Sequence, residues 1–333
     1  MIFCVDRQKM KKVLILGITG QDGSYLAEIL LEKGYEVHGM VRHSATGNTK
    51  NINHNLDKLI LHRGDLLDAT SLYRIIKEVN PDEIYNEADQ DHAGWSFDIV
   101  DYQYNVTGAA VGRVLEIIRQ LNPKIKFFQP ISSNIFGRPD DEVQNENTPF
   151  RPQSPYACAK VLAYVVTRFY RETYNMFAST GIFYNHESPR RTENYVTRKI
   201  TRAAARISLG LQDKLELGDR SIKIDWGYAK EYMEAAWNIL QQNQADDFII
   251  ATGEAHSVQD FVNAAFRAVN LDPEKYVVTN PKFLRPATNT TMRGDISKAK
   301  RVFGFEPKVK FEELVKLMVE ADLSDLQKQV RKN

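Results

Sequence analysis

The chain has 333 residues, and 44 Lys and Arg against 43 Asp and Glu give it a formal net charge of +1. A balance this even excludes a polyanion held by bulk charge, so no nucleic-acid partner is expected and any nucleotide must be gripped locally. Only two cysteines, Cys4 and Cys158, and no apolar run near the ~20 residues of a membrane span exclude a disulfide framework and a membrane partner, and favour a reducing, cytoplasmic location.

The start "MIFCVDRQKMKK" lacks the apolar core of a signal peptide and reads as a disordered leader, with Met10 as an alternative start. "KVLILG" (12–17) is a short apolar run ending in glycine, as in a buried parallel strand. "SYLAEILLEKG" (24–34) is a helix closed by Gly34, and "YEVHGMV" a second strand. A third strand lies in "LDKLILHRGDL", a helix in "ATSLYRIIKEV" and a fourth strand in "DEIYNEA". Residues 99–120 read as one long helix, "KIKFFQPIS" as a fifth strand, "SPYACAKVLAYVVTRFYRETY" as a long helix and "ASTGIFY" as a strand. This alternation predicts an α/β fold, a doubly wound parallel sheet of Rossmann type with helices on both faces. Beyond it come a loop at 186–195, helices near 196–210 and 226–243, and the helical patterns "SVQDFVNAAFRAV" and "KFEELVKLMVEADL". They suggest a smaller α/β substrate lobe: residues 10–184, with part of 223–252, form the dinucleotide-binding domain, and 185–325 the interleaved lobe. The polar tail "SDLQKQVRKN" is expected to fray.

"GITGQDG" sets Gly17, Gly20 and Gly23 between a strand and a helix, with Gln21 and Asp22 opening that helix. Glycines here permit a tight turn and let a pyrophosphate approach the helix N-terminus, where N–H groups and the dipole favour negative charge. Arg42 and His43, ending the second strand, favour a 2′-phosphorylated cofactor over its free hydroxyl form, unless they are simply exposed basic residues. Asp65 and Leu66 follow the third strand, where the carboxylate either receives an adenine amino group or caps the next helix. "YACAK" puts Tyr156 and Lys160 on one helical face. A lysine beside a phenol stabilises the phenolate, which can take the proton of a sugar hydroxyl while hydride leaves the same carbon. Ser132, ending the fifth strand, can hydrogen-bond that hydroxyl. No metal is called for.

With these residues in place, the chain resembles the extended short-chain dehydrogenases/reductases, and among them the GDP-mannose 4,6-dehydratases, from about residue 12 to 322. "GITGQDGSYLAEILLEKGYEVHGMVR", "SPYACAK", "NHESPRR" with "ENYVTRKI", "DWGYAKEYMEAAW" and "FIIATGEAHSV" carry the resemblance. It implies a tightly bound NAD or NADP and a GDP-sugar substrate, with Tyr156 as base, Lys160 as its partner and Ser132 as hydroxyl donor. It further implies Asn185, Val196 and Lys199 facing the GDP, Arg285 its pyrophosphate, Arg191 near the cofactor, and a homodimer or homotetramer formed through the loop "RHSATGNTKN".

Departures cluster at the implied site. The family's Thr-Ser-Glu reads Ser132, Ser133, Asn134; "YNLAAQSHV" reads "YNEADQDHA", introducing Glu87, Asp89 and Asp91; Ile224 precedes "DWG", and Thr288 replaces a glutamate expected near the ribose. A dehydratase needs a group that moves a proton at carbon 5 and to the departing hydroxyl, and an amide does neither at neutral pH. The expectation is therefore carbon 4 oxidation of a GDP-mannose or GDP-heptose without loss of water, by a 4-dehydrogenase or 4-epimerase. The alternatives are a 4,6-dehydratase in which Asp91 or another new carboxylate substitutes, and a catalytically silent cofactor-binding regulator.

Overall fold

The computed structural model describes residues 10–44, 47–283 and 291–331. The expected leader, Cys4, Arg285 and Thr288 lie outside these described residues.

In chain order the elements are β1 Lys12–Leu16, α1 Gln21–Glu32, β2 Glu36–Val41, β3 Ile60–Arg63, α2 Ala69–Val79, β4 Glu83–Asn86, α3 Val100–Gln103, a π-helical turn Tyr104–Ala109, α4 Ala110–Leu121, β5 Lys126–Ser132, β6 Val143–Gln144, α5 Pro155–Tyr174, β7 Ala178–Phe183 and β8 Asn185–Glu187. There follow α6 Val196–Ser208, β9 Leu215–Leu217, β10 Lys223–Ile224, β11 Trp226–Tyr228, α7 Ala229–Leu240, β12 Asp247–Ile250, β13 His256–Ser257, α8 Val258–Arg267, β14 Val277–Thr279, β15 Arg293–Gly294, α9 Ser297–Phe303 and α10 Phe311–Val330.

The main sheet is parallel and has seven strands in the order β12-β7-β5-β4-β1-β2-β3. Its register sets Val13 against both Val37 and Glu83. The order reverses direction at β1 and β4, and the crevice beyond the carboxyl ends of such a pair is where open α/β sheets bind ligands. Two compact units make up the chain. The first comprises the described residues of Met1–Ile131, with Ser154–Thr180 and Ala236–Asp246; the second comprises Ser132–Gln153, Gly181–Ala235 and Asp247–Asn333, as far as these are described.

In the first unit, Val13, Leu14, Ile15 and Leu16 are fully buried, as the unbroken apolar run of β1 requires when helices cover both faces. Each such side chain contributes about 1.5–3 kcal/mol of apolar burial. Ser154 accepts a hydrogen bond from the Ala157 N–H at 3.1 Å and Pro155 opens α5, which ends at Asn175 in the left-handed region, φ +53°.

In the second unit, α6, α8 and α10 enclose a core that includes Ile200, Trp226, Phe261, Phe266 and Met318. Ser257 and Asp260 form a reciprocal capping box at the start of α8.

The structure corrects the sequence reading in three places. The single helix expected over 99–120 is broken by the π turn. The stretch read as a loop at 186–195 begins inside β8, which pairs in parallel with β11, where a helix was expected to start. The polar tail does not fray at its beginning: α10 runs to Val330, with Asp322 and Leu326 buried along it.

Candidate active site

The glycine turn leaves β1 at Gly17, whose φ of +82° favours glycine. A Cβ there would stand 2.7 Å from the Glu87 carbonyl oxygen and from Ala88, so the turn closes on the exit of β4. At Gly23 a Cβ would stand 2.4 Å from the Gly17 carbonyl oxygen, which ties α1 down onto the turn. Gly20 differs. It is exposed, it precedes α1 in extended conformation, and it offers no side-chain cap, so an anion can approach the N-terminus of α1, where the helix dipole favours negative charge. Gln21 donates to Asp22 at 3.1 Å. These residues fit a dinucleotide pyrophosphate.

Asp65 accepts from the Leu67 N–H at 2.9 Å in a turn ahead of α2, while Asp68 caps that helix. Leu66 is buried. Arg42 is exposed and donates to the Tyr102 hydroxyl at 3.1 Å.

Tyr156 and Lys160 lie on α5 in the same unit, 7% and 4% exposed. The Lys160 ammonium stands 5.8 Å from the centre of the Tyr156 ring and donates to the Pro130 carbonyl at 2.9 Å. Its closest ion-pair partner is Asp89, at 2.6 Å. Burial works to lower the ammonium's pKa, but Asp89 and then Tyr156 more than offset this and hold it above the ordinary lysine value. The other Asp89 oxygen accepts from the Thr107 hydroxyl. Gln103 donates to Thr107 at 2.6 Å, and Gln90 donates to Gln103 at 2.9 Å. Thr107 is carried by the π turn, a feature that recurs at functional sites.

Two residues before Asp89, the Glu87 Oε1 atom is buried without a hydrogen-bond partner. Burial, with Asp22 nearby, pushes this carboxyl well above the ordinary carboxylate range. Asp91 is exposed.

Ser132, Ser133 and Asn134 belong to the second unit. Ser133 is buried, and Ser133–Ile135 form a short 3-10 turn. The Asn134 backbone N–H and side-chain amide both donate to the Ser132 oxygen, at 3.2 and 3.1 Å. With both its lone pairs engaged, the Ser132 hydroxyl is left to act as a donor.

Elsewhere in this unit a cavity of about 250 Å³ is lined by Glu193, Lys199, Arg202, Ala203, Arg206, Gln212, Leu215, Glu216 and Phe283. Lys199 donates to the Glu216 carbonyl at 2.7 Å and stands 4.2 Å from the centre of the Phe283 ring. Burial lowers its pKa. Arg202 pairs with Glu193 at 2.8 Å. A cationic wall beside an aromatic ring can take a nucleotide's phosphates and base. Val196 opens α6, behind Tyr195, and Asn185 pairs with Trp226 across β8 and β11. The Arg191 guanidinium lies 3.4 Å from the centre of the Tyr195 ring and pairs with Glu187 at 3.4 Å.

Sequence reading missed the Asp89 partnership with Lys160, the Gln90, Gln103 and Thr107 chain behind it, and the Glu193, Arg202, Arg206 and Phe283 lining of the cavity. The one signal present was the acidic content of "YNEADQDHA".

Among solved structures, the chain is similar to UDP-glucose 4-epimerase with UDP-glucose from Thermotoga maritima, with a TM-score of 0.85, 22% identity, and 95% of this chain and 99% of that chain covered. It is also similar to dTDP-glucose 4,6-dehydratase from Bacillus anthracis in complex with NAD, with a TM-score of 0.83, 19% identity and coverage of 95% and 98%. These likenesses establish the fold. Among curated proteins it is 48% identical over 331 residues to GDP-mannose 4,6 dehydratase 1 of Arabidopsis thaliana, covering 96% of this chain and 91% of that protein. It is 44% identical over 337 residues to GDP-mannose 4,6 dehydratase of Homo sapiens, covering 93% and 91%. The GDP-mannose 4,6 dehydratase family profile matches residues 14–318, and with that match spanning both units the chain belongs to this family of sugar-nucleotide enzymes.

Proposed function

We propose that the protein is a 4,6-dehydratase of a GDP-sugar, GDP-mannose or a GDP-heptose, working with a bound NAD or NADP. The observation that carries this reading is the buried Tyr156 and Lys160 pair, in one unit with an open glycine turn at the sheet's reversal point, in a chain whose relatives at 44–49% identity are named as dehydratases. NAD or NADP held at that turn would supply the hydride acceptor for carbon 4 oxidation and the hydride donor for the later reduction at carbon 6. Gly17, Gly20, Gln21, Asp22 and Gly23 would hold its pyrophosphate, with Arg42, Asp65, Leu66 and Arg191 assigned to its remaining parts. Tyr156 takes the proton of the carbon 4 hydroxyl, Lys160 stabilises the phenolate, and Ser132 donates to the same oxygen. Lys199, Val196, Asn185 and Arg285 are assigned to the GDP.

Asn134 cannot move the proton lost from carbon 5, so elimination calls for a carboxylate. Asp89 is committed to Lys160 and Thr107, and the Glu87 carboxyl end is buried. Asp91, the exposed member of the three, is the substitute to test first. Oxidation without loss of water is the second reading, and its support is the Asn134 amide bonded to Ser132. The comparisons favour the dehydratase over it. A silent regulator has no use for Tyr156 and Lys160. Incubation with GDP-mannose and GDP-heptose, followed by mass spectrometry, separates these readings. A product lighter by one water is expected, with Asp91→Asn abolishing it. A product lighter by two hydrogens, or unchanged in mass but epimerised, would establish the second reading. No change in product or in cofactor absorbance would leave the regulator. The protein is further expected to be a homo-oligomer, which light scattering would measure.

A further inference from the structure

We propose that Asp89 is a positioning residue for the Tyr156 and Lys160 pair: its carboxylate holds the Lys160 ammonium in place and, by offsetting that charge, raises the pH at which the Tyr156 phenol ionises. The inference rests on the reading of Tyr156 as base. The carboxylate is built in: one oxygen takes the ammonium at 2.6 Å, and the other takes the Thr107 hydroxyl. Behind it, Thr107 and Gln103 are 2% and 0% exposed. Gly108, where a Cβ would stand 2.8 Å from the Leu162 side chain, lets the π turn carrying Thr107 close on α5.

A bare ammonium beside a phenol lowers the phenol's pKa by about 1–3 units. An ammonium already paired with a carboxylate presents a dipole, and its stabilisation of the phenolate shrinks. Among the described residues of this unit, Asp89, Tyr156 and Glu87 act electrostatically on Lys160, and Asp22 on α1 acts on Glu87. Burial pushes the Glu87 carboxyl well above the ordinary carboxylate range, which favours its neutral form. The π turn contributes the neutral Thr107 hydroxyl to Asp89, and its Tyr104 is exposed. Asp89 is therefore the dominant charge opposing Lys160.

The test is Asp89→Asn, which keeps an acceptor for Thr107 and removes the charge. Two readouts apply: the pH profile of single-turnover carbon 4 oxidation with GDP-mannose, and the ultraviolet titration of tyrosinate in the purified protein, taken as the difference from the same protein carrying Tyr156→Phe. Both midpoints should move down by about one pH unit, and Asp89→Glu should restore them. Asp89→Ala, which removes the side chain, should give the same downward shift and serves if the amide variant does not fold. Midpoints that stay in place overturn the proposal, as does a rate that falls equally at every pH. Unimpaired oxidation by Tyr156→Phe would instead remove Tyr156 as base, while the tyrosinate titration would still decide whether Asp89 sets its acidity.

Discussion

Replacing Asp322 by Asn should destabilise the second unit by about 3 kcal/mol. Asp322 is fully buried on α10, accepts the Thr201 hydroxyl at 2.7 Å, and pairs with Arg198 and, at 3.6 Å, with Arg202. Both arginines are 7% exposed. Burial pushes the Asp322 carboxyl up, and Arg198 pulls it back only in part. The pair therefore gains little over leaving both groups in water, yet breaking it strands a buried guanidinium at a cost of about 3–5 kcal/mol. The lower end applies, because Arg202 keeps Glu193 at 2.8 Å and Asp325 at 3.3 Å, and asparagine still accepts from Thr201. Arg198 keeps only the neutral Arg191 carbonyl among its described contacts. The assay is urea unfolding followed by Trp226 fluorescence, with Trp95 and Trp237 replaced by Phe. Trp226 is 2% exposed in the core shared by α6, α8 and α10. A loss of about 3 kcal/mol is roughly a hundredfold in the unfolding equilibrium. The double variant Asp322→Leu, Arg198→Met should recover most of it. A single-variant loss under about 1 kcal/mol, or a double variant no more stable than the single, would refute the reasoning.

Tyr156→Phe should lower carbon 4 oxidation by about two to four decades with cofactor still bound, and single-turnover absorbance reads it. Gly23→Ala places a methyl 2.4 Å from a backbone oxygen, so the turn must shift; NAD or NADP titration should weaken at least about tenfold, some 1.4 kcal/mol, and unchanged binding would dismiss the turn as the pyrophosphate site. Glu87 has its folded pKa raised, by burial first and then by Asp22. Its contribution to stability is thus complete below the unfolded value of ~4.3 and is lost as pH rises through the folded pKa. Glu87→Gln should remove a slope of about 1.4 kcal/mol per pH unit across that window and stabilise the first unit above it, as chemical denaturation against pH would measure.

Much of the fold was legible because its signals are local. The run Val13–Leu16 can only be buried on both faces, and Ser154 with Pro155 announces α5. The failures have physical causes. The π turn Tyr104–Ala109 adds a residue to a helical cycle, and its Asn105, Thr107, Gly108 and Ala109 leave little apolar period to betray it. β8 has three residues, too few for alternation to register, and its partner β11 lies far along the chain. The tail from Ser324 read as frayed because its composition is polar, whereas Leu326 within it is buried and Arg202 pairs with Asp325. At the site, "YNEADQDHA" announced unusual charge but not its use. The sequence does not show that Lys160 reaches back to Asp89 rather than to Glu87 or Asp91.

That choice of partner determines the electrostatics of the reversal point. Glu87 and Asp89 are two residues apart just beyond β4, and among the described residues the lysine's ion pair, at 2.6 Å, is with Asp89. Asp89 therefore lies against an ammonium, while burial pushes the Glu87 carboxyl, with a buried oxygen lacking a hydrogen-bond partner, well above the ordinary carboxylate range. The same stretch thus places two carboxyls in different surroundings, one against a lysine and one desolvated, and such differences push carboxyl pKa values apart. A raised carboxyl pKa at Glu87 and a cation against Asp89 both lessen the negative field beside the glycine turn. The N-terminus of α1, which has no side-chain cap and where the helix dipole favours negative charge, is the feature of this turn that suits an anion.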